Sequence, residues 1–372
     1  MHINPFQAIY PNFDMVASAD SFFDSVKEEY QNFVNNGFFQ PDSGKSIYIC
    51  EISSHDRSHR GILATCAVSD FLDGYILKHE NTLASREQQM ITLILQRNAM
   101  IKPVLLTYPP VAEIQHLMNE WISAHQPFYQ VHFENGNEWH TFWKIDNEAS
   151  IAAISKLFEQ KVPVTYIADG HHRTSSSAYM YEHLEGKPMQ AAFSQIFSCF
   201  FDYDQLQVFD YNRIVELTTD WSPVTFMAKL SGFFEIEPIV LPEKPKQKHE
   251  ISMVINNEWF MLRWRPEILR QHEDEPVILD VALLNQYVFE TALEIKDVRT
   301  DERIRYIPGT AGLDAIRIRA AKNDQRVGFC LFPIDIRDVQ AIADAGQVLP
   351  PKSTWFEPRI KNGLLIYPFE TV

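Results

Sequence analysis

Apolar residues recur along this chain at two spacings, one near 3.6 residues and one of two, and the alternation divides it into helices and strands. An extended arm, INPFQAIYPN within residues 1–20, comes first and is packed through Phe6, Ile9 and Phe13. Phe22, Val26, Tyr30 and Phe33/Val34 follow at helical spacing; with Ser21 or Asp20 as cap and Gly37 as stop they predict a helix over 20–37. SIYICEIS (46–53) and GILATCAVSDF (61–71) read as two strands joined by the polar loop SSHDRSHR. Tyr75–Lys78 reads as a short strand. A helix over 84–98 then buries Met90, Ile91, Ile94 and Leu95, with Thr82 or Ser85 as cap and Ser85 with Gln88 resembling a capping box. Next come a strand at 102–109, a helix at 111–125, a hairpin over 126–146 turned at Asn135-Gly136, and a helix at 149–161.

The run Val162–Ala168 is a buried strand that breaks at Asp169-Gly170, and SAYMYEHL after it reads as a helix. After Tyr179 the chain runs helix, strand, a turn at Asp202–Asp204, and another strand ending at Asn212 and Arg213. The pattern shifts near 215. Helix plus strand, a polar Pro-containing turn or linker (241–250), a hairpin with Asn-Asn at its tip, a helix (279–293) and a short strand (304–309) follow. A helix, the buried strand VGFCLFPI, a helix closed by Gly346, and a mostly loop-like tail complete the chain. The organisation expected is α+β in two parts, 1–215 and 216–372.

Composition narrows the class. Hydrophobic content of 45%, with 26 Phe, 14 Tyr and 7 Trp in 372 residues, argues for a folded, aromatic-rich protein. A formal charge of −16 repels nucleic-acid phosphate, which argues against DNA or RNA as the main partner while leaving room for locally basic pockets. Cys50, Cys66, Cys199 and Cys330 form no CxxC, and the first, second and fourth sit in apolar runs where a reduced, buried thiol is expected. The N-terminus has neither a basic region nor a long apolar one, and no stretch reaches the roughly 18 apolar residues of a membrane span. A cytoplasmic protein with a small-molecule substrate, no membrane and no nucleic acid is the expectation.

Chemistry concentrates at YIADGHHRTSSSAY, Tyr166–Tyr179. A strand, a tight turn and a helix in succession leave free N–H groups and a partial positive charge at the helix start. Gly170 lets the backbone approach a ligand closely, and His171, His172 and Arg173 add donors, so the stretch reads as an anion cradle, most plainly for phosphate. The same residues also suit an ordinary strand-to-helix connection. A second stretch, KHENTLASRE, places His79 and Glu80 at a strand end, where a carboxylate held close to a hydroxyl serves as a general base; incidental charge in a helix-entry loop is the alternative. Arg86, in the first helical turn near Thr82, is either a bidentate grip for an acceptor's carboxylate or a surface charge. Lys352, Ser353 and Thr354, beside Trp355 and Phe356, either reach into a site or pack as tail. His55 and His59 are conceivable as a metal pair, but no ligand cluster follows them, and a solvated hairpin loop is the expectation.

IADGHHR with the Ala-containing helix after it resembles the signature of a bacterial and archaeal family, number one thousand and fifteen in the domain-of-unknown-function series. The resemblance extends over PFQAIYP, KHENT, VLLTY, YNRIV, LDVALL, GFCLFPI and PPKSTWFEPRIKNGLL, nearly the whole chain. More distantly, DGHHR opening a helix is similar to the phosphate-binding box of the ParB/sulfiredoxin superfamily. Archaeal free-serine kinases of that superfamily pair a KPHE-type segment with a downstream DGHHR-type box, in the order of Lys78-His79-Glu80 and Asp169–Arg173 here. The resemblance implies a ParB/sulfiredoxin-like, mixed, partly barrel-like sheet core with surrounding helices and an enlarged C-terminal part. It implies Glu80 as base for a serine hydroxyl, assisted by His79, and Gly170, His171, His172 and Arg173 as the phosphate box. Thr82, Arg86, Lys352, Ser353 and Thr354 then fall on the substrate side. The expected activity is phosphorylation of a small hydroxyl metabolite, free L-serine first, with Mg²⁺ and with ATP, ADP or pyrophosphate as donor. Asp169 stands between a Mg²⁺-side carboxylate and an orienter of the histidines. A nucleotide-binding switch without turnover and a phosphoserine phosphatase are the alternatives.

Overall fold

Runs of Val, Ile, Leu and Phe dominate the strands of the first half, and a strand that is apolar on both faces has to be covered on both. In the computed structural model, which describes residues 1–54, 57–323 and 325–369, these runs build a ten-stranded mixed sheet. The elements in order are β1 (Ile3–Asn4), β2 (Phe6–Pro11), α1 (Ala19–Asn35), β3 (Phe39–Ser54), β4 (Arg57–Ala67), α2 (Val68–Leu72), β5 (Ile76–Leu77), α3 (Ala84–Arg97), β6 (Ala99–Met100), β7 (Val104–Tyr108), α4 (Ala112–Ala124), β8 (Tyr129–Phe133), β9 (Glu138–Ile145), α5 (Glu148–Lys161), β10 (Thr165–Asp169), α6 (His171–His183) and β11 (Gln195–Asp202). The sheet runs β5-β10-β7-β11-β4-β3-β9-β8, with β1 added on β4 and β2 on β3. Every residue of β7 is buried, as is β10 as far as Ala168, so the centre of the sheet is apolar on both sides. Ile154 and Phe158 of α5 and Ile114 and Met118 of α4 pack into that core.

Several elements depart from what spacing predicts. The extended arm pairs as β1 and β2 of the sheet, and β3 starts earlier than spacing predicts, at Phe39, because residues 39–46 pair with β2. The second strand ends at Ala67, and VSDFL forms the short helix α2 instead. Ser18, not Ser21 or Asp20, caps α1. α3 is preceded by Leu83 with no side-chain cap; the Thr82 hydroxyl instead donates to Glu87 Oε1. His59 lies within β4, its Nδ1 2.7 Å from the Gln205 carbonyl, while His55 lies outside the described residues.

The chain divides into two units, Met1–Gln207 with Pro358–Val372, and Val208–Glu357. A short strand β12 (Gln207–Phe209) leads into the second. There β13 (Tyr211–Glu216), α7 (Pro223–Leu230), β14 (Phe234–Ile239), β15 (Glu250–Ile255), β16 (Glu258–Trp264), α8 (Pro266–Arg270), α9 (Asp280–Leu283), β17 (Ile304–Pro308), α10 (Gly312–Ala320), β18 (Arg326–Leu331), α11 (Ile336–Asp344) and β19 (Trp355–Glu357) follow. Six of these strands make an antiparallel sheet, β14-β16-β15-β18-β13-β17. Asn256 and Asn257 take positive φ at the tip of the β15–β16 hairpin, as a two-residue turn matched to strand twist requires. The helix expected over 279–293 is helical throughout, but it widens from α9 into a π-helix over Leu284–Ala292.

The last segment returns to the first unit. Its strand β20 (Tyr367–Pro368) pairs with β6, and Ile9 and Ile366 exchange backbone hydrogen bonds of 3.0 and 2.9 Å. All four cysteines are buried free thiols, as expected for Cys50, Cys66 and Cys330, and among the described residues no helix is long and apolar enough to cross a membrane.

Gly61 shows how closely the large sheet is packed. A Cβ there would lie 2.8 Å from the Phe200 carbonyl oxygen and 2.9 Å from the Phe201 ring. Gly61→Ala is therefore expected to cost about 1–3 kcal/mol, read as a lower urea midpoint; an unchanged midpoint would show that β4 shifts freely.

Candidate functional site

The strand-to-helix junction after β10 is shaped by one glycine. Gly170 sits at φ +112°, a conformation side chains resist, and directly precedes α6. The turn folds the Arg173 guanidinium back over it: a Cβ on Gly170 would lie 2.7 Å from Arg173 Nη2. From there Nη2 donates to Asp169 Oδ2 at 2.9 Å and to the Pro103 carbonyl at 3.2 Å.

Sheet register explains the rest of the cluster. β7 runs antiparallel to β10 with Asp169 opposite Leu105, so the residues entering β7 stand beside the end of β10. Lys102 Nζ thereby comes within 3.8 Å of Asp169 Oδ2. Arg359, on the returning terminal segment, adds a third positive charge to the surroundings of both. Burial alone would raise the Asp169 carboxyl, but Arg173, Lys102 and Arg359 outweigh it and hold that carboxyl well below the usual carboxylate range. Burial, reinforced by Arg173, lowers the Lys102 ammonium to about 8, against the pull of Asp169. Three cations thus face one carboxylate at the start of a helix whose first N–H groups have no partner within the helix.

β5 pairs parallel with β10, Ile76 opposite Thr165 and Leu77 opposite Tyr166. His79 and Glu80 therefore emerge beyond the carboxyl end of β5, next to the carboxyl end of β10, the side on which open sheets with parallel strands bind ligands. His79 is buried, and its backbone N–H donates to His171 Nε2 at 3.4 Å. Their rings meet edge to face with centroids 4.5 Å apart. Burial lowers His79 to about 4; it also pushes His171 well below the ordinary histidine value, with His79 adding to the effect. Both rings are neutral near pH 7. His171 is turned inward and offers a ligand its backbone N–H rather than a charged ring, while His172 and Glu80 are partly exposed.

The hydroxyl run after the box faces the interior. Thr174, Ser176 and Ser177 are buried, and the Ser176 hydroxyl donates to the Glu87 carbonyl at 3.3 Å, tying α6 to α3. The Arg86 side chain is exposed and makes no hydrogen bond or ion pair among the described residues. Lys352, Ser353 and Thr354 belong to the second unit. There the buried Arg213 donates from Nη2 to the Lys352 carbonyl at 2.9 Å, the Lys352 ammonium lies 5.5 Å from the Tyr211 ring centre, and the Ser353 hydroxyl donates to the Pro350 carbonyl. Lys102 and Arg359 escape a reading of the sequence. Each is visible as a charge beside an apolar run, in KPVLLTY and WFEPRIKNG, but nothing local ties either to Asp169. Lys102 and Arg173 also line a cavity of about 110 Å³ walled by Met90, Leu93, Ile94, Met100 and Ile101. Among the described residues no three His, Cys, Asp or Glu side chains gather as a metal cage.

A family model described as a protein of unknown function, DUF1015, matches residues 4–282. The chain belongs to this family. A comparison of this DUF1015 chain with curated proteins finds no match. Among solved structures it is similar to a free serine kinase variant in complex with ADP, at TM-score 0.40 and 14% identity over 81% of this chain and 92% of that one. It is similar to SbnI with a C-terminal truncation from Staphylococcus aureus, at TM-score 0.42 and 12% identity over 81% and 85% of the two chains. A conserved hypothetical protein from Pyrococcus furiosus follows, at TM-score 0.38 and 13% identity over 81% and 93%.

The histidine pair gives a pH test. An unfolded histidine titrates near pH 6.5, so below that value the unfolded chain binds protons that the buried rings refuse. The stability this provides is complete above about pH 7 and lost as pH falls from 6.5 toward about 4. Between pH 7 and 4.5, His79→Gln should lose less stability than the parent, by about 1–2 kcal/mol, measured from urea midpoints. Identical pH dependence in the two proteins would exclude His79 as a buried neutral group.

Proposed function

We propose that this protein transfers a phosphoryl group to a small hydroxyl metabolite, with free L-serine as the first candidate. The observation that carries the reading is the meeting of His79 with His171, 92 residues apart in the chain, which sets the KHE segment against the DGHHR box. Under this reading the core is of the ParB/sulfiredoxin-like type, and the order of the two segments corresponds to that of the free-serine kinases they resemble.

In the proposed reaction the Glu80 carboxylate takes the proton of the acceptor hydroxyl. The freed oxygen attacks the terminal phosphorus of the donor, and the bond from that phosphorus to the bridging oxygen breaks, leaving the remaining phosphate as the departing anion. Arg173, Lys102 and the first N–H groups of α6 supply fixed positive charge for the donor. A surplus of two positive charges around Asp169 suits a multiply charged phosphate better than a single carboxylate. The methionine- and isoleucine-walled cavity beside Lys102 and Arg173 favours a donor with an apolar part, a nucleotide, over pyrophosphate. Arg86 and Thr82 remain candidates for the acceptor side.

Asp169 fits the role of an orienter of Arg173 and Lys102 rather than of the histidines. Its Oδ2 is already held by Arg173 and Lys102, and a lone carboxylate among cations does not make a protein-held Mg²⁺ site, so Mg²⁺ is assigned to the donor as its counter-ion.

Phosphorus NMR of the protein with Mg²⁺, L-serine and ATP, ADP or pyrophosphate in turn tests the proposal. A phosphoserine signal is expected with a nucleotide donor, falling at least 100-fold (order of magnitude) in Glu80→Gln and in Arg173→Ala. Glu80→Gln should still bind the donor. Phosphate release without phosphoserine would replace the reading with a hydrolase, and nucleotide binding without turnover would replace it with a switch.

A further inference from the structure

We propose that the second unit carries its own binding site for a short polyphosphate chain, formed by Arg305, Arg319 and Lys322 with Arg326. Among the described residues the site is a groove of about 300 Å³ lined by Ile214, Arg305, Tyr306, Arg319, Lys322 and Arg326, four of them cations.

Sheet register and one helix end bring these residues together. On the edge strand β17, Arg305 stands opposite Ile214 of β13, and Arg326 at the start of β18 stands opposite Glu216 of the same strand. Arg319 lies in the last turn of α10, and Lys322 follows two residues after its end. The helix C-terminus accounts for attraction of a cation or two there. It does not account for Arg305, which comes from a strand.

Ion pairing separates the groove residues from their neighbours. Arg299 pairs with Asp297 at 2.9 Å, Arg303 with Asp301 at 2.8 Å, and Arg317 with Asp314 at 3.1 Å. Of the four groove cations, Arg326 pairs with Glu216 at 2.9 Å. The side chains of Arg305, Arg319 and Lys322 are exposed and have no hydrogen bond or ion pair among the described residues. Three like charges held beside a single carboxylate-paired arginine are relieved by an anion carrying several charges. Guanidinium groups suit phosphate oxygens through paired N–H donors. The overall charge of −16 repels a long polyanion at a distance but leaves a compact one free to enter a local basic groove. Tyr306 offers the ligand no hydroxyl donor, because that hydroxyl donates to the Val298 carbonyl at 2.6 Å. Recognition rests on charge and on the size of the anion.

Calorimetric titration of the whole protein with inorganic triphosphate at low salt tests this, with Arg173→Ala in the background to weaken the first unit's phosphate cradle. Binding is expected to persist in Arg173→Ala. Combining Arg305→Gln, Arg319→Gln and Lys322→Gln should weaken it by at least about tenfold, while Arg317→Gln, which removes a paired charge from the same helix as Arg319, should leave it unchanged. Single Arg319→Gln and Lys322→Gln variants, each checked by thermal melting, serve if the triple variant is unstable. The proposal fails if triphosphate does not bind, if the groove variants bind as tightly as the parent, or if Arg317→Gln weakens binding as much as they do.

Discussion

One carboxylate organises the first unit's cleft. Asp169 ends a buried strand, and its charge persists there because Arg173, Lys102 and Arg359 surround it. Each of the three reaches it by a different route. Arg173 is bent back by the positive φ of Gly170, Lys102 is delivered by the antiparallel register of β7, and Arg359 comes with a terminal segment that rejoins the unit through Ile9 and Ile366. Removing Asp169 would leave those cations with only each other and the helix start for company. The balance is uneven by design of the fold: one acid gathers more positive charge than it neutralises, and the excess sits where a helix already favours anions.

A second constraint is the contact between His79 and His171. Both rings are buried and neutral, so their part is to hold two segments in register rather than to supply charge. The hydroxyl run that follows has a similar structural part. Ser176 bonds across to the backbone of α3, and Thr174 and Ser177 bond back within α6, which lets that polar sequence form the inner face of a helix. Small side chains allow the two helices to approach, and every hydroxyl named finds an acceptor.

In the second unit a different arrangement handles charge. Arg213 is fully buried and spends its donors on the Tyr211 and Lys352 carbonyls, with the Tyr306 ring 5.4 Å away, so it fixes the KST segment within that unit. Several arginines near the surface have their own carboxylates, and those of the groove largely do not. An acidic chain thus keeps two local concentrations of positive charge, one in each unit, each built by register between strands rather than by a run of basic sequence.

The sequence by itself determined the local units: which stretches are strands and helices, the Asn-Asn and Asn-Gly turns, the glycine at the start of the DGHHR helix, and the membership of the family. Periodicity, turn chemistry and capping act between near neighbours, so they are written in consecutive residues. Even there, nearby choices were settled by context. Leu83 rather than Thr82 or Ser85 precedes α3, because the Thr82 hydroxyl found Glu87, and β4 gave way at Ala67 to a short helix. The tertiary structure alone decided the electrostatic content of the cleft. Lys102, Arg359 and the inward turn of His171 depend on strand order and on the return of the last segment. Those are pairings across many tens of residues, where free energy depends on how whole apolar faces fit together and not on any pattern a short window of sequence contains.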